Sequence, residues 1–124
     1  MSQRLPPELE NKLARYQNLQ AQFNRIVQER AAVEAEISEI NRVLQVLQEL
    51  EEGDTVYRLL GNVLVKVSKD KVVSELNDRK EILELRLQKL RKQENELRKQ
   101  LDEVVQEIKK LQTRLLGVQQ GGGG

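Results

Sequence analysis

The chain has 124 residues, 33% of them charged and 2% aromatic, with 21 Lys and Arg against 20 Asp and Glu. It contains no His and no Cys, which removes disulfides, thiolate nucleophiles, the usual zinc ligands and the commonest general base. The near-neutral balance disfavours a nucleic-acid binder or a polybasic membrane anchor, and a charged chain rich in Leu, Val, Glu, Lys, Arg and Gln reads as long helix or coiled coil.

Met1 to Leu5 has no apolar run behind it, so no secretory signal is expected there. Apolar runs such as Val63-Leu64-Val65 are far too short to span a bilayer, and a cytoplasmic location follows as the simplest expectation. Pro6-Pro7-Glu8 opens a helix, because proline is tolerated in a first turn. From Leu9 a track with alternating spacings of three and four runs through Lys12, Tyr16, Leu19, Phe23, Ile26, Arg30, Val33, Ile37, Ile40 and Leu44 to Leu47. Only Lys12 and Arg30 break it, which is the heptad seam of a coiled coil. The helix is predicted over 7–52, with Gly53 as its stop and Asp54 and Thr55 continuing a turn.

Residues 55–68 read as strand, turn, strand: Val56 to Leu60, Gly61-Asn62, then Val63 to Val67. Gly-Asn suits a two-residue hairpin turn with positive φ at its first residue. A second helix is predicted over 69–116, capped by Ser68 or Asp70 and ended by Gly117. Its track runs from Val73 through Leu76, Lys80, Leu83, Leu87, Leu90, Glu94, Leu97, Leu101, Val104, Ile108 and Leu111 to Leu115. Glu8 with Lys12 and Glu94 with Arg98 have the spacing of i,i+4 ion pairs. Residues 117–124 read as a flexible tail, and residues 1–124 as one domain.

A short connection makes neighbouring helices antiparallel, so facing residues have numbers with a near-constant sum. A sum of 123 or 124 sets Leu47 against Leu76, Ile40 against Leu83, Phe23 against Leu101, Leu19 against Val104 and Leu9 against Leu115. It also sets Arg30 against Glu94, either as a polar layer that pins register or as two chains that snorkel to solvent.

The hairpin pairs Leu60 with Val63, Leu59 with Leu64, Arg58 with Val65, Tyr57 with Lys66 and Val56 with Val67. Both faces are largely apolar, and a lone two-stranded hairpin is marginal and exposes two edges. It therefore either assembles with other hairpins into a shared sheet or barrel, the favoured reading, or folds down on its own helices. Apolar residues outside the seam cluster near the hairpin, at Val43, Val46, Leu50, Val72, Ile82 and Leu85, and are expected to meet the assembled sheet or neighbouring subunits. They return near the termini at Leu5, Leu13, Val105, Leu116 and Val118, either as an exposed tip that grips something or as a fraying seam in which Leu13 replaces Lys12. Carboxylate clusters such as Asp102-Glu103 read as solvated faces, and the helix pair offers no dry pocket. No catalytic, cofactor or metal site is expected, and the chain does not read as an enzyme.

The run Val-Tyr-x-x-x-Gly-Asn over 56–62, between one coiled-coil helix and another opened by Lys69-Asp70, closely resembles the β-type subunits of prefoldin, and the resemblance spans nearly the whole chain. The fold it implies is mainly α, a long antiparallel two-helix coiled coil joined by one β-hairpin that assembles into an intersubunit β-barrel. The α-type subunits have two hairpins, and the single hairpin points to the β type. The resemblance further implies a hexamer of two α-type and four β-type subunits that holds unfolded proteins at its coiled-coil tips without ATP and passes them to a group II chaperonin. The expected assembly residues are Val56, Tyr57, Leu59, Leu60, Gly61, Asn62, Val63, Leu64, Val65 and Val67. The expected tip residues are Leu5, Leu9, Leu13, Leu111, Leu115, Leu116 and Val118. The chain departs from a Met-rich gripping surface, since Met1 is its one methionine. The competing readings are a structural coiled-coil adaptor that docks one folded partner, and a parallel homodimeric coiled coil interrupted by the hairpin.

Overall fold

The computed structural model describes residues 5–120, with the side chains of 118–120 left out. Two long helices are joined by a two-stranded antiparallel hairpin: α1 (Pro7–Gln48), β1 (Val56–Leu60), β2 (Val63–Val67) and α2 (Lys69–Gln120). Pro7 opens α1, and the Pro6 carbonyl accepts the Glu10 N–H at 3.0 Å. Glu8 and Glu10 lie in the first turn, where the positive end of the helix dipole favours carboxylates.

α1 ends four residues before the expected 52. Its last hydrogen bonds tighten to i→i−3 spacing, Glu49 N to Val46 O at 3.2 Å and Leu50 N to Leu47 O at 3.3 Å. The chain then turns over 51–54. Asp54 N donates to Glu51 O at 3.0 Å, and Glu51 N donates back to Asp54 Oδ2 at 2.7 Å. Gly53, with φ +94°, occupies the third position of this turn, which demands positive φ. Gly53 therefore shapes a separate turn rather than capping the helix.

Ser68 is the N-cap of α2. Its Oγ accepts the Lys71 N–H at 3.4 Å, and its carbonyl accepts the Val72 N–H at 3.1 Å. The helix passes through Gly117, which keeps a negative φ, and continues to Gln120 rather than stopping at 116. A glycine permits a helix end but does not impose one, and Val118 to Gln120 carry no breaker. Of the expected tail, 117–120 are helical and 121–124 lie outside the described residues.

The chain divides into two compact units, one of the residues up to 28 with those from 90 onward, the other of 29–89. In the first, Leu19, Leu101 and Val104 form a buried cluster with Tyr16, Phe23, Leu97 and Ile108 packed on it, which are partners in the constant-sum register. As α1 runs from Glu8 through Lys12 to Phe23, its partners on α2 fall from Arg114 through Glu107 to Arg98, so the segments are antiparallel. In the second unit Ile40, Leu47 and Leu83 are buried, and Glu36 pairs with Arg79 at 3.1 Å. The buried residues of α1 from Leu19 to Leu47 recur every seventh position, at Leu19, Ile26, Val33, Ile40 and Leu47. Each buried aliphatic side chain contributes about 1.5–3 kcal/mol, so this line of residues is the main source of stability.

Candidate interaction surfaces

Two surfaces carry the expected functional residues. The first is the hairpin. Gly61 has φ +60° while Asn62 keeps φ negative, which is the signature of a type II′ turn. That turn matches the right-handed twist of the strands and sets the observed register, Leu60 opposite Val63, Leu59 opposite Leu64 and Val56 opposite Val67. Val56, Leu60, Val63, Val65 and Val67 consequently share a face with Arg58, and Tyr57, Leu59 and Leu64 share the other with Lys66.

The helices cover almost none of it. Leu59 and Leu64 are 66% and 64% exposed, and Tyr57, Leu60, Val63 and Val65 are also open to solvent. Val56 and Val67, at the root of the strands, are half-buried. One polar tether joins the hairpin to α2: Arg58 Nη2 donates to Glu75 Oε2 at 2.5 Å. The hydrogen bond from Arg58, with its charge and that of Lys71, holds the Glu75 carboxyl below the ordinary carboxylate range. The hairpin is thus anchored at its base and uncovered on both faces.

The second surface lies in the unit that contains the helix ends near the termini. The structure divides the expected tip residues there. Leu9 and Leu111 are buried, Leu13 and Leu115 half-buried, and Leu5 and Leu116 exposed. The Val118 side chain lies outside the described residues. Lys12 does not fill the seam. Its Nζ reaches Glu107 Oε2 at 2.7 Å, and Glu8 accepts from Arg114 at 3.1 Å. The expected Glu8–Lys12 pair along one helix is thus replaced by two bonds across the helices. The hydrogen bond from Lys12 keeps the Glu107 carboxyl below its ordinary value.

These cross-helix pairs were missed because seam spacing fixes which residues face each other but not the reach of those beside them. The available signal was an acid and a base within about one helical turn of the register, Glu8 with Arg114 almost on it and Lys12 with Glu107 a turn away. Arg98 stands over the Phe23 ring at 5.6 Å, a cation–π contact. Of the expected register residues, Arg30 donates from Nη1 to Glu34 Oε1 at 2.6 Å, and Glu94 is buried. Among the described residues no helix is long and apolar enough to cross a membrane, and no cluster of His, Cys, Asp or Glu could hold a metal ion.

The family model described as "Prefoldin subunit" matches residues 10–114. The chain belongs to the prefoldin family. It is 47% identical over 111 residues to prefoldin subunit beta of Sulfurisphaera tokodaii, covering 90% of this chain and 89% of that one. It is 43% identical, with the same coverage, to prefoldin subunit beta of Sulfolobus acidocaldarius. The crystal structure of the prefoldin beta subunit from Thermococcus strain KS-1 is similar to it with a TM-score of 0.79 and 33% identity, covering 89% of this chain and 96% of that one. The beta2 subunit from the same strain shares the fold, with a TM-score of 0.65 and 22% identity over 73% of this chain and 97% of that one. Two helices about a single two-stranded hairpin are therefore the architecture of a prefoldin chaperone subunit.

Proposed function

We propose that this chain is a β-type subunit of a cytoplasmic prefoldin hexamer, two α-type and four β-type, which holds unfolded proteins without ATP and passes them to a group II chaperonin. The observation that carries the reading is the uncovered hairpin, ten strand residues with apolar side chains on both faces and both edges open. Water is a poor permanent neighbour for such a surface, and strands from other subunits satisfy its edges and cover its faces together. Closing those strands into a barrel leaves no edge.

Client holding belongs to the helix ends near the termini. Leu5 and Leu116 offer apolar surface there, with Leu13 and Leu115 partly accessible beneath. One such end binds weakly, but several in one hexamer act together through effective concentration and raise avidity by orders of magnitude. A holder of this kind reads apolar content rather than sequence, and it uses no catalytic group.

The test is a chain lacking residues 1–8 and 115–124, assembled with an α-type subunit. Leu9 and Leu111 remain to close the seam. The hexamer is expected to form with its normal mass while losing suppression of aggregation for several unrelated unfolded proteins. Undiminished suppression would refute the tip reading.

A further inference from the structure

Charge is unevenly shared between the two units. The residues up to 28 with those from 90 onward hold 11 Lys and Arg against 7 Asp and Glu, a net of +4, and residues 29–89 hold 10 against 13, a net of −3. Much of the excess in the first unit lies on one side of α2. The triplet Arg-Lys-Gln occurs at 91–93 and again at 98–100, one heptad later. Residues seven apart on a helix share a side at a separation of about 10.5 Å, so Arg91 and Arg98 form one row and Lys92 and Lys99 the next. All four are exposed. Among the described residues no salt bridge joins any of them to a carboxylate, whereas Lys12 and Arg114 in the same unit are paired with Glu107 and Glu8. Of the two acids between the triplets, Glu94 is buried and Glu96 accepts a hydrogen bond from Gln100 at 3.5 Å. The surface there carries a clear excess of cations.

We infer that this double row of cations selects among clients: the unfolded polypeptides held best are those in which apolar residues are mixed with Asp and Glu. The inference rests on the tip reading above and adds a substrate class to it. Leu116, exposed toward the end of α2, lies 17 residues beyond Lys99, about 26 Å along the helix at 1.5 Å per residue. An extended segment of about eight residues covers that distance. It can set apolar side chains on Leu115 and Leu116 and lay carboxylates against Arg98 and Lys99. Lys109 and Lys110, both exposed, stand along the way. Exposed cations also attract over about 10 Å at 0.1 M salt, so they speed encounter with acidic chains before apolar contact forms. A nucleic acid fits less well. Asp102 and Glu103 follow Lys99 within about one turn and would repel an unbroken phosphate backbone, where a polypeptide can present a neutral residue. The Phe23 ring lies under Arg98 and is not free to stack on a base.

The test uses the complex assembled with an α-type subunit and three fluorescent, unstructured peptides, identical except that Leu is mixed with Asp, with Asn or with Lys. At low salt the Asp peptide is expected to bind about tenfold more tightly than the Asn peptide, and the Lys peptide most weakly, with added salt erasing the difference. Arg91→Gln, Lys92→Gln, Arg98→Gln and Lys99→Gln together are exposed changes that keep helix propensity. With helicity and complex mass unchanged, they should abolish the preference for the Asp peptide while moving the Asn peptide less than about twofold. Lys69→Gln with Lys71→Gln, in the other unit, should leave the preference intact, and Arg91→Lys with Arg98→Lys should retain it. Equal binding of the three peptides by the wild-type complex, or a preference that survives the four Gln changes, overturns the inference. So does a single-stranded nucleic acid that binds as tightly as the Asp peptide and is released by the same changes, which would make the patch a phosphate site. The chain lacking residues 1–8 and 115–124 separates this inference from the tip reading. If it still holds the Asn peptide, the tip reading has failed; if the full-length complex holds the Asn peptide without preferring Asp, the cation patch alone is wrong.

Discussion

Leucine and valine serve opposite ends in the seam and in the hairpin. In the seam, Leu83 and Val104 are each 1% exposed, because a seven-residue repeat on two helices gives every apolar side chain a hole to fill. In the hairpin the same residue types, at alternating positions on two short strands, remain mostly in water. Hydrophobicity is equal in the two regions, and geometry differs. Two helices enclose a line of side chains between them, whereas two strands form a ribbon with two faces and can enclose neither. The seam is therefore complete within one chain, whereas the hairpin leaves apolar side chains uncovered on both faces.

That contrast can be broken in graded steps. Leu64→Asp with Val65→Asp should have the largest effect, loss of the assembled oligomer with helicity intact, read by light scattering and circular dichroism. Leu83→Ala should do the reverse. It empties a buried site at a cost of about 2–5 kcal/mol, lowering the melting temperature without removing any hairpin contact. Gly61→Ala places a side chain where φ is +60°, which costs roughly 1–2 kcal/mol. Assembly should weaken about tenfold, while the thermal stability of the helix pair moves little. Acid should have the smallest effect. Glu75 and Glu107 are held below their ordinary values by bonds from Arg58 and Lys12. Their stabilisation is thus present at neutral pH and lost as pH falls below the ordinary carboxylate range through those lowered values. Both carboxylates are exposed, so melting at pH 3 against pH 7 should show a small decrease, reduced further by added salt.

The seam was legible because a heptad repeat is a statement about angle, and angle along a helix is fixed by residue count. Leu9, Leu19, Ile26, Ile40, Leu83 and Val104 are buried where the spacing put them. The hairpin was legible for a similar reason, since Gly61-Asn62 leaves a two-residue turn one register. Helix ends were less so. Gly53 and Gly117 are the same residue near the two expected stops, yet one sits at positive φ in a turn of its own and the other stays helical. Local hydrogen bonds around Glu51 and Asp54 decided the first case, and composition does not encode them. The tip was legible in part. The seam spacing separates Leu9 and Leu111, which the helices enclose, from Leu5 and Leu116, which lie off the seam and stay exposed, although all four were expected to grip together.

The single charge on the Tyr57, Leu59 and Leu64 face is Lys66, across the ladder from Tyr57. One cation is a slight deterrent to wrong partners on a ribbon with open edges. The open edges therefore invite pairing with any exposed strand the chain meets. A more stable helix pair would not lessen that hazard, because it belongs to the folded chain and not to unfolding.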